Sequence, residues 1–182
     1  MQLIETPGLL LRDFRFSDVS DLHDLARDER VGPSAGWKPH ENETQTAQWL
    51  MAAVQDQNVW AIEDKDSRRL IGTIALQEDF TRPYSDVKAL SFCLHPDFWG
   101  KGFMTEAVSY VLPYALLTLR LSRVTALHDP ENHRSGRVIE KCGFIYEGTL
   151  REALYGFDGR RRDVCIYSLT VQDYLSLKED GK

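Results

Sequence analysis

Residues 95–107, HPDFWGKGFMTEA, set two glycines one residue apart, between the end of a strand-like run and the start of a helical one. The first turn of a helix leaves its N–H groups without intrahelical partners and carries a partial positive charge. Glycine there permits backbone conformations closed to other residues and lets a ligand come close. The combination makes a cradle for a pyrophosphate, with Lys101, Arg134 and Arg137 as nearby cations. A G-x-G pair also suits a tight turn that holds nothing. The spacing is not that of a P-loop, and a dinucleotide fingerprint would need glycine where Thr105 stands.

The second stretch with chemical potential is residues 131–144, ENHRSGRVIEKCGF. Asn132 is placed to cap the helix that follows, and Ser135 falls at the third helical position, where a hydroxyl can be merely solvated or can act chemically. His95 and His128 stand at strand ends, but surface or capping roles suit both. His128 and Asp129 are adjacent in an extended segment, so they point to opposite faces and do not form a dyad. Arg160, Arg161 and Arg162, between Asp158 and Asp163, read as a charged turn beside a strand. Trp37, in a Gly/Pro-rich loop, is a candidate for lining a substrate pocket, and Tyr155 suits either that pocket or packing in the core or at its rim.

These residues need a frame. Residues 8–14 (GLLLRDF) form a first strand, and Ser17 caps a helix carrying Val19, Leu22, Leu25 and Ala26 to about Arg30. Gly32-Pro33, Gly36 and Pro39 mark a mobile loop. Asn42 and Gln45 resemble a capping box for a helix whose inner face carries Trp49, Leu50, Ala53 and Val54. Strands follow at 58–63, 70–77 and 87–95, joined by polar turns. A helix after Gly102 contains Pro113, which should kink it or weaken one hydrogen bond. Strand 121–128, helix 132–142 stopped by Gly143, and strands 144–153 and 163–170 around a turn at 156–159 complete the chain. This order predicts an α/β (α+β) fold over one domain, residues 1–182. Its mixed, mostly antiparallel sheet would have about seven strands, flanked by four helices.

Composition sets bounds. Of 182 residues, 42% are hydrophobic and 27% charged, a globular balance that argues against disorder. The cysteines at 93, 142 and 165 provide neither a disulfide framework nor a C-x-x-C metal pair. They read as buried thiols in a reducing compartment, and no metal is expected. No apolar run reaches the roughly 18 residues that span a bilayer, and the N-terminal sequence lacks a signal-peptide pattern. The expectation is a cytoplasmic protein without membrane contact. The net charge of -6 argues against nucleic acid as a partner.

FWGKGFMTEA at 98–107, EN-x-x-S-x-RVIEKCGF at 131–144, EGTLRE at 147–152 and RDVCIYSL at 162–169 resemble the GNAT superfamily of N-acetyltransferases. The likeness is strongest to the branch with the ribosomal-protein N-terminal acetyltransferases; LRDF and GWKPHE in the first third match as well, so it spans nearly the whole chain. It implies a splayed sheet and acetyl-CoA as co-substrate, with its pyrophosphate on the main chain of Trp99, Gly100, Lys101, Gly102, Phe103, Met104 and Thr105. The pantetheine arm would pair with Phe92, Cys93 and Leu94, where the fourth strand parts from the fifth, near a main-chain N–H that serves as oxyanion donor. Asn132 and Arg137 would join the cofactor set. Ser135 would protonate the leaving thiolate.

The family's usual carboxylate base is replaced by Ala89, and the tyrosine acid that some members carry in the second helix is absent. Ordered water is therefore expected to take the amine proton. The acceptor would be a primary amine, either a protein N-terminus or a small polyamine, amino acid or drug, attacked directly by a monomer or homodimer. A non-catalytic acyl-CoA-binding module is the competing reading.

Overall fold

The computed structural model describes residues 2–56 and 58–179. Its frame is one sheet of eight strands in the order β1-β2-β3-β4-β5-β6-β8-β7. These are β1 Ile4–Glu5, β2 Leu9–Arg12, β3 Val59–Asp64, β4 Leu70–Glu78, β5 Val87–Leu94, β6 Arg123–His128, β7 Ile145–Tyr155 and β8 Arg161–Thr170. Every pairing is antiparallel except β5 with β6. The helices are α1 Val19–Ala26, α2 Gly32–Ala35, α3 Glu43–Gln55, α4 Phe103–Pro113, α5 His133–Lys141 and α6 Val171–Glu179.

The central strands read as apolar runs because both faces are covered. All six residues of β3 are buried. Trp60 and Ile62 pack into a core with Ala107, Val108 and Val111 of α4, while Val59 and Ala61 pack into another with Leu22 and Leu25 of α1 and Leu50 of α3. Alternate residues of a strand point to opposite faces, so one sequence run serves two cores.

Several expectations change. The sheet gains β1, and the helices number six because α2 and α6 form as well. Ser17 does not cap α1: Asp18 precedes that helix, and its carboxylate takes two bonds from the buried Arg12 guanidinium and one from Arg15 N–H. Arg12 also donates to the buried Glu63 at 2.6 Å, fastening β2 to β3. Asn42 does cap α3, accepting from Gln45 N–H, but the Gln45 side chain accepts from Glu41 N–H rather than from Asn42. Trp49 is 41% exposed instead of facing the core. Pro113 is the last residue of α4, and a π-helical turn, Tyr114–Thr118, follows it. A proline cannot donate to the carbonyl four residues back and crowds it, so the coil widens there.

Candidate functional site

β5 carries the site on one of its edges. Toward β4 it is paired along its length, from Lys88↔Glu78 to Leu94↔Gly72. Toward β6 pairing runs from Val87↔Arg123 to Leu90↔Ala126 and stops, although both strands continue. The two strands part beyond Leu90, and a wedge opens between them. His95 N–H donates to Ile71 C=O, so the alternation of the antiparallel ladder turns the main-chain groups of Phe92 and Leu94 away from β4 and into the wedge. The Leu94 carbonyl accepts from the Trp99 indole N–H at 2.7 Å, which ties the glycine turn to the end of β5.

The turn leads into α4, whose first residue is Phe103. Gly100 and Gly102 have φ of 76° and 86°, a left-handed region that disfavours side chains. A Cβ built on either would meet no protein atom within 4 Å, so the space beside both is open. No side chain caps the first turn of α4. Its free N–H groups and positive dipole end therefore face that space. The helix is anchored by Glu106, whose carboxylate accepts from Thr6 Oγ1 at 2.6 Å and Gly8 N–H at 2.8 Å in the β1–β2 turn. The open backbone of the turn and the uncapped helix start fit a diphosphate.

Phe92, Cys93, Leu94, Trp99, Gly100, Gly102, Phe103, Met104, Thr105, Asn132, Ser135 and Arg137 line one cleft of about 270 Å³. The Arg134 guanidinium also lines it, 4.5 Å from the centre of the Trp99 ring. Lys101 does not line this cleft; its ammonium lies 4.9 Å over the Phe98 ring. Asn132 caps α5, its Oδ1 accepting from Ser135 N–H at 3.2 Å. That bond uses the main chain of Ser135 and leaves its hydroxyl without a partner among the described residues.

A second cleft, of about 340 Å³, meets the first at Ser34, Ala35, Phe92, Cys93, Asn132 and Ser135. Trp37 and Tyr155 both line it, with Trp49 and Phe157. Its carboxylates are committed: Asp129 accepts from Glu131 N–H and lies 3.6 Å from Arg162, and Asp163 accepts from Glu152 N–H. His128, suited by sequence to a surface or capping role, is half-buried and lines this cleft. Its Nδ1 lies 2.8 Å from the carbonyl of Asp129, which can only accept, so Nδ1 carries the proton. Nε2 is buried against Gly136 without a hydrogen-bond partner among the described residues.

Ala89 is buried in β5 and offers no base. Cys93 lies at the junction with Sγ 3.2 Å from Thr73 Oγ1, and burial pushes its thiol pKa up. Such a thiol is a poor nucleophile. Burial likewise pushes Cys142 up to about 12. Among the described residues, no group of three or more His, Cys, Asp or Glu side chains could hold a metal ion, and no helix is long and apolar enough to cross a membrane.

Sequence reasoning missed the wall opposite the turn: Arg30, Val31, Ser34 and Ala35. The segment read as a mobile loop folds into α2, and Pro33 at its start was the available signal, since proline is well suited to a first helical turn.

The family model for the acetyltransferase (GNAT) domain matches residues 8–145. The uncharacterized N-acetyltransferase YoaA of Bacillus subtilis is 30% identical over 175 residues, covering 92% of this chain and 96% of its own. The ribosomal protein uS5-alanine N-acetyltransferase of Escherichia coli is 31% identical over 111 residues, 61% of this chain and 56% of its own. A crystal structure of a GNAT-family acetyltransferase from Bacillus anthracis superimposes with a TM-score of 0.84 at 22% identity, over 94% of this chain and 99% of the other. The chain belongs to the GNAT family and is an N-acetyltransferase.

Proposed function

We propose that a single domain spanning the chain transfers the acetyl group of acetyl-CoA to a primary amine by direct attack. One observation carries the reading: the uncapped start of α4 opens on a cleft that runs along the free edge of β5 into a second cleft. The N–H groups of Phe103, Met104 and Thr105 hold the diphosphate. The Phe92 carbonyl and Leu94 N–H pair with the pantetheine arm, while Phe92 N–H polarises the thioester carbonyl.

The amine enters through the second cleft. Its nitrogen attacks the carbonyl carbon, a C–N bond forms, and the C–S bond breaks. Ser135 donates its hydroxyl proton to the departing sulfur and regains one from solvent. Water in the cleft takes one proton from the arriving ammonium, which frees the nitrogen lone pair for attack, and a second as the amide forms. Aligning both reactants in joined clefts removes an entropic barrier of about 7–11 kcal/mol.

The test is a calorimetric titration with acetyl-CoA, followed by thiol release on adding amines. Saturable binding with amine-dependent release is expected. No heat and no saturation at millimolar acetyl-CoA would end this reading. Binding without release across peptides and small amines would favour an acyl-CoA-binding module.

A further inference from the structure

The second cleft has an unusual lining for a site that must admit a cation. Leu154, Trp49, Phe157 and Tyr155 line it while remaining 39%, 41%, 45% and 70% exposed. They come from two separate parts of the chain: Trp49 from α3, and the other three from the end of β7 and the turn after it. Exposed apolar groups converging on one concavity mark a binding surface. Trp37, from the segment after α2, adds another aromatic side chain.

The charges lead the same way. The lining holds two carboxylates, Asp129 and Asp163, against one guanidinium, Arg162. Asp129 faces Arg162, and each carboxylate already accepts a main-chain N–H. Arg162 is also held by Asp158 at 3.1 Å, so the lining carboxylates already have partners and offer no row of free charges for several ammonium groups. A second or third ammonium would lose water without gaining a carboxylate.

We infer that the acceptor is a mono-cationic primary amine bearing a large apolar or aromatic substituent, and not a polyamine. This rests on the acetyl-transfer reading above and narrows its substrate class. The substituent lies against Trp49, Tyr155 and Phe157, and the amine points toward the junction at Phe92 and Ser135. The shared chemistry has two sources: a free arylalkylamine, or a polypeptide whose first residue is large and apolar. A cleft of about 340 Å³ suits either, because it lies at the small end of ligand sites and has room for one such group.

The experiment has two arms. In the first, thiol release from acetyl-CoA is measured with tryptamine, with a tripeptide beginning in phenylalanine, and with spermidine. Tryptamine or the tripeptide should exceed spermidine in kcat/KM by at least about tenfold, and the better of the two identifies the source. The double variant Tyr155→Ala/Phe157→Ala should shrink that margin mainly through KM. Spermidine equal to or better than both, or a margin indifferent to the double variant, overturns the inference.

The second arm measures binding of tryptamine, the tripeptide and spermidine to CoA-saturated protein by calorimetry, without turnover. Binding of either apolar amine in preference to spermidine without any thiol release would keep this acceptor preference and remove the transferase reading. Failure of both apolar amines to bind overturns the preference even where acetyl-CoA still binds.

Discussion

The two edges of β5 do opposite work with one run of residues. Toward β4 the ladder is continuous, and the two backbones are so close at its end that an added Cβ on Gly72 would lie 2.4 Å from the Cys93 carbonyl oxygen. Toward β6 the ladder stops at Leu90, and the main-chain groups of Phe92 and Leu94 face the wedge. The closed edge fixes the position of the strand in the core. The open edge leaves hydrogen-bonding groups in a place that water or a ligand must fill. Rigidity on one side is what allows unsatisfied backbone on the other to keep its geometry.

The largest effect should come from breaking the closed edge. In Gly72→Ala the new methyl group meets backbone rather than a movable side chain tip. A destabilisation of about 3 kcal/mol is expected, at the upper end for overpacking. That corresponds to a fall of roughly 6–12 °C in melting temperature for a domain of this size. Affinity for acetyl-CoA should fall with it, because the shift displaces Cys93 and Leu94. A variant that melts like the parent would show that the closed edge is not what holds the open one.

Next in size is Ser135→Ala at the mouth of the open edge. The N–H that Asn132 accepts is retained, so the cap of α5 and the melting temperature should stay as they are. Turnover should fall about 10²-fold, the lower end for a general acid, with KM for acetyl-CoA little changed. Unchanged kcat in steady-state assays would leave Ser135 as a helix residue only.

How much of this was legible beforehand follows from where the signals arise. The central strands announce themselves because burial on both faces demands unbroken apolar runs, as in VWAI at 59–62. The glycine turn and Asn132 were readable because positive φ and helix capping restrict residue type locally. The wedge was not, since the residues of β5 and β6 read the same before and after Leu90 and Ala126. It was expected only through the family likeness. α6 escaped notice because Tyr174 is its one buried residue, so no apolar stripe marks it. Trp49 was assigned to the core by its spacing on α3; its partial exposure depends on the second cleft, which no local pattern encodes. For His128 the sequence suggests a surface or capping role for the same reason: the neighbours that enclose it belong to α5 and β8.

A third test sharpens the open side. Gly102→Ala adds a methyl group that clashes with nothing in the protein but must adopt φ of 86°. The conformational cost is about 1 kcal/mol. Relaxation of the turn to escape it, together with a methyl group where the diphosphate approaches, should weaken CoA about tenfold. A calorimetric Kd equal to that of the parent would place the diphosphate elsewhere.

The segment that follows Trp37 offers a smaller, pH-dependent test. His23 Nδ1 and His40 Nδ1 both lie 2.9 Å from Thr46 Oγ1, joining α1, α3 and the stretch that bears Trp37. Burial, and then the neighbouring His23, hold the His40 imidazole below its ordinary 6.5. As pH falls below about 6.5 the unfolded chain gains a proton that folded His40 resists. The stability this site provides is therefore intact above that pH and is lost as pH falls through the lower native value. Denaturant midpoints measured between pH 7.5 and 5 should decline less in His40→Gln than in the parent. Parallel declines would show that His40 carries none of this dependence.

The smallest effect returns to β5 and to Cys93, which faces the junction of both clefts from the strand that separates the edges. A thiol there invites the idea of a covalent acetyl-enzyme. Its burial argues otherwise, because a pKa pushed upward leaves almost no thiolate at neutral pH, and the thiolate is the nucleophile. Cys142, raised to about 12 by burial, is equally inert. Cys93→Ala removes one sulfur and its contact with Thr73 Oγ1, and Cys93→Ala/Cys142→Ala removes both thiols. Each should keep kcat within about threefold of the parent, since direct attack assigns no bond-making step to sulfur. A loss of 10³-fold or more in Cys93→Ala, with a stable acetyl adduct on the parent detected by intact-protein mass spectrometry, would replace direct transfer with a two-step route. The junction of the two clefts would then hold an acyl-enzyme between the departure of CoA and the arrival of the amine.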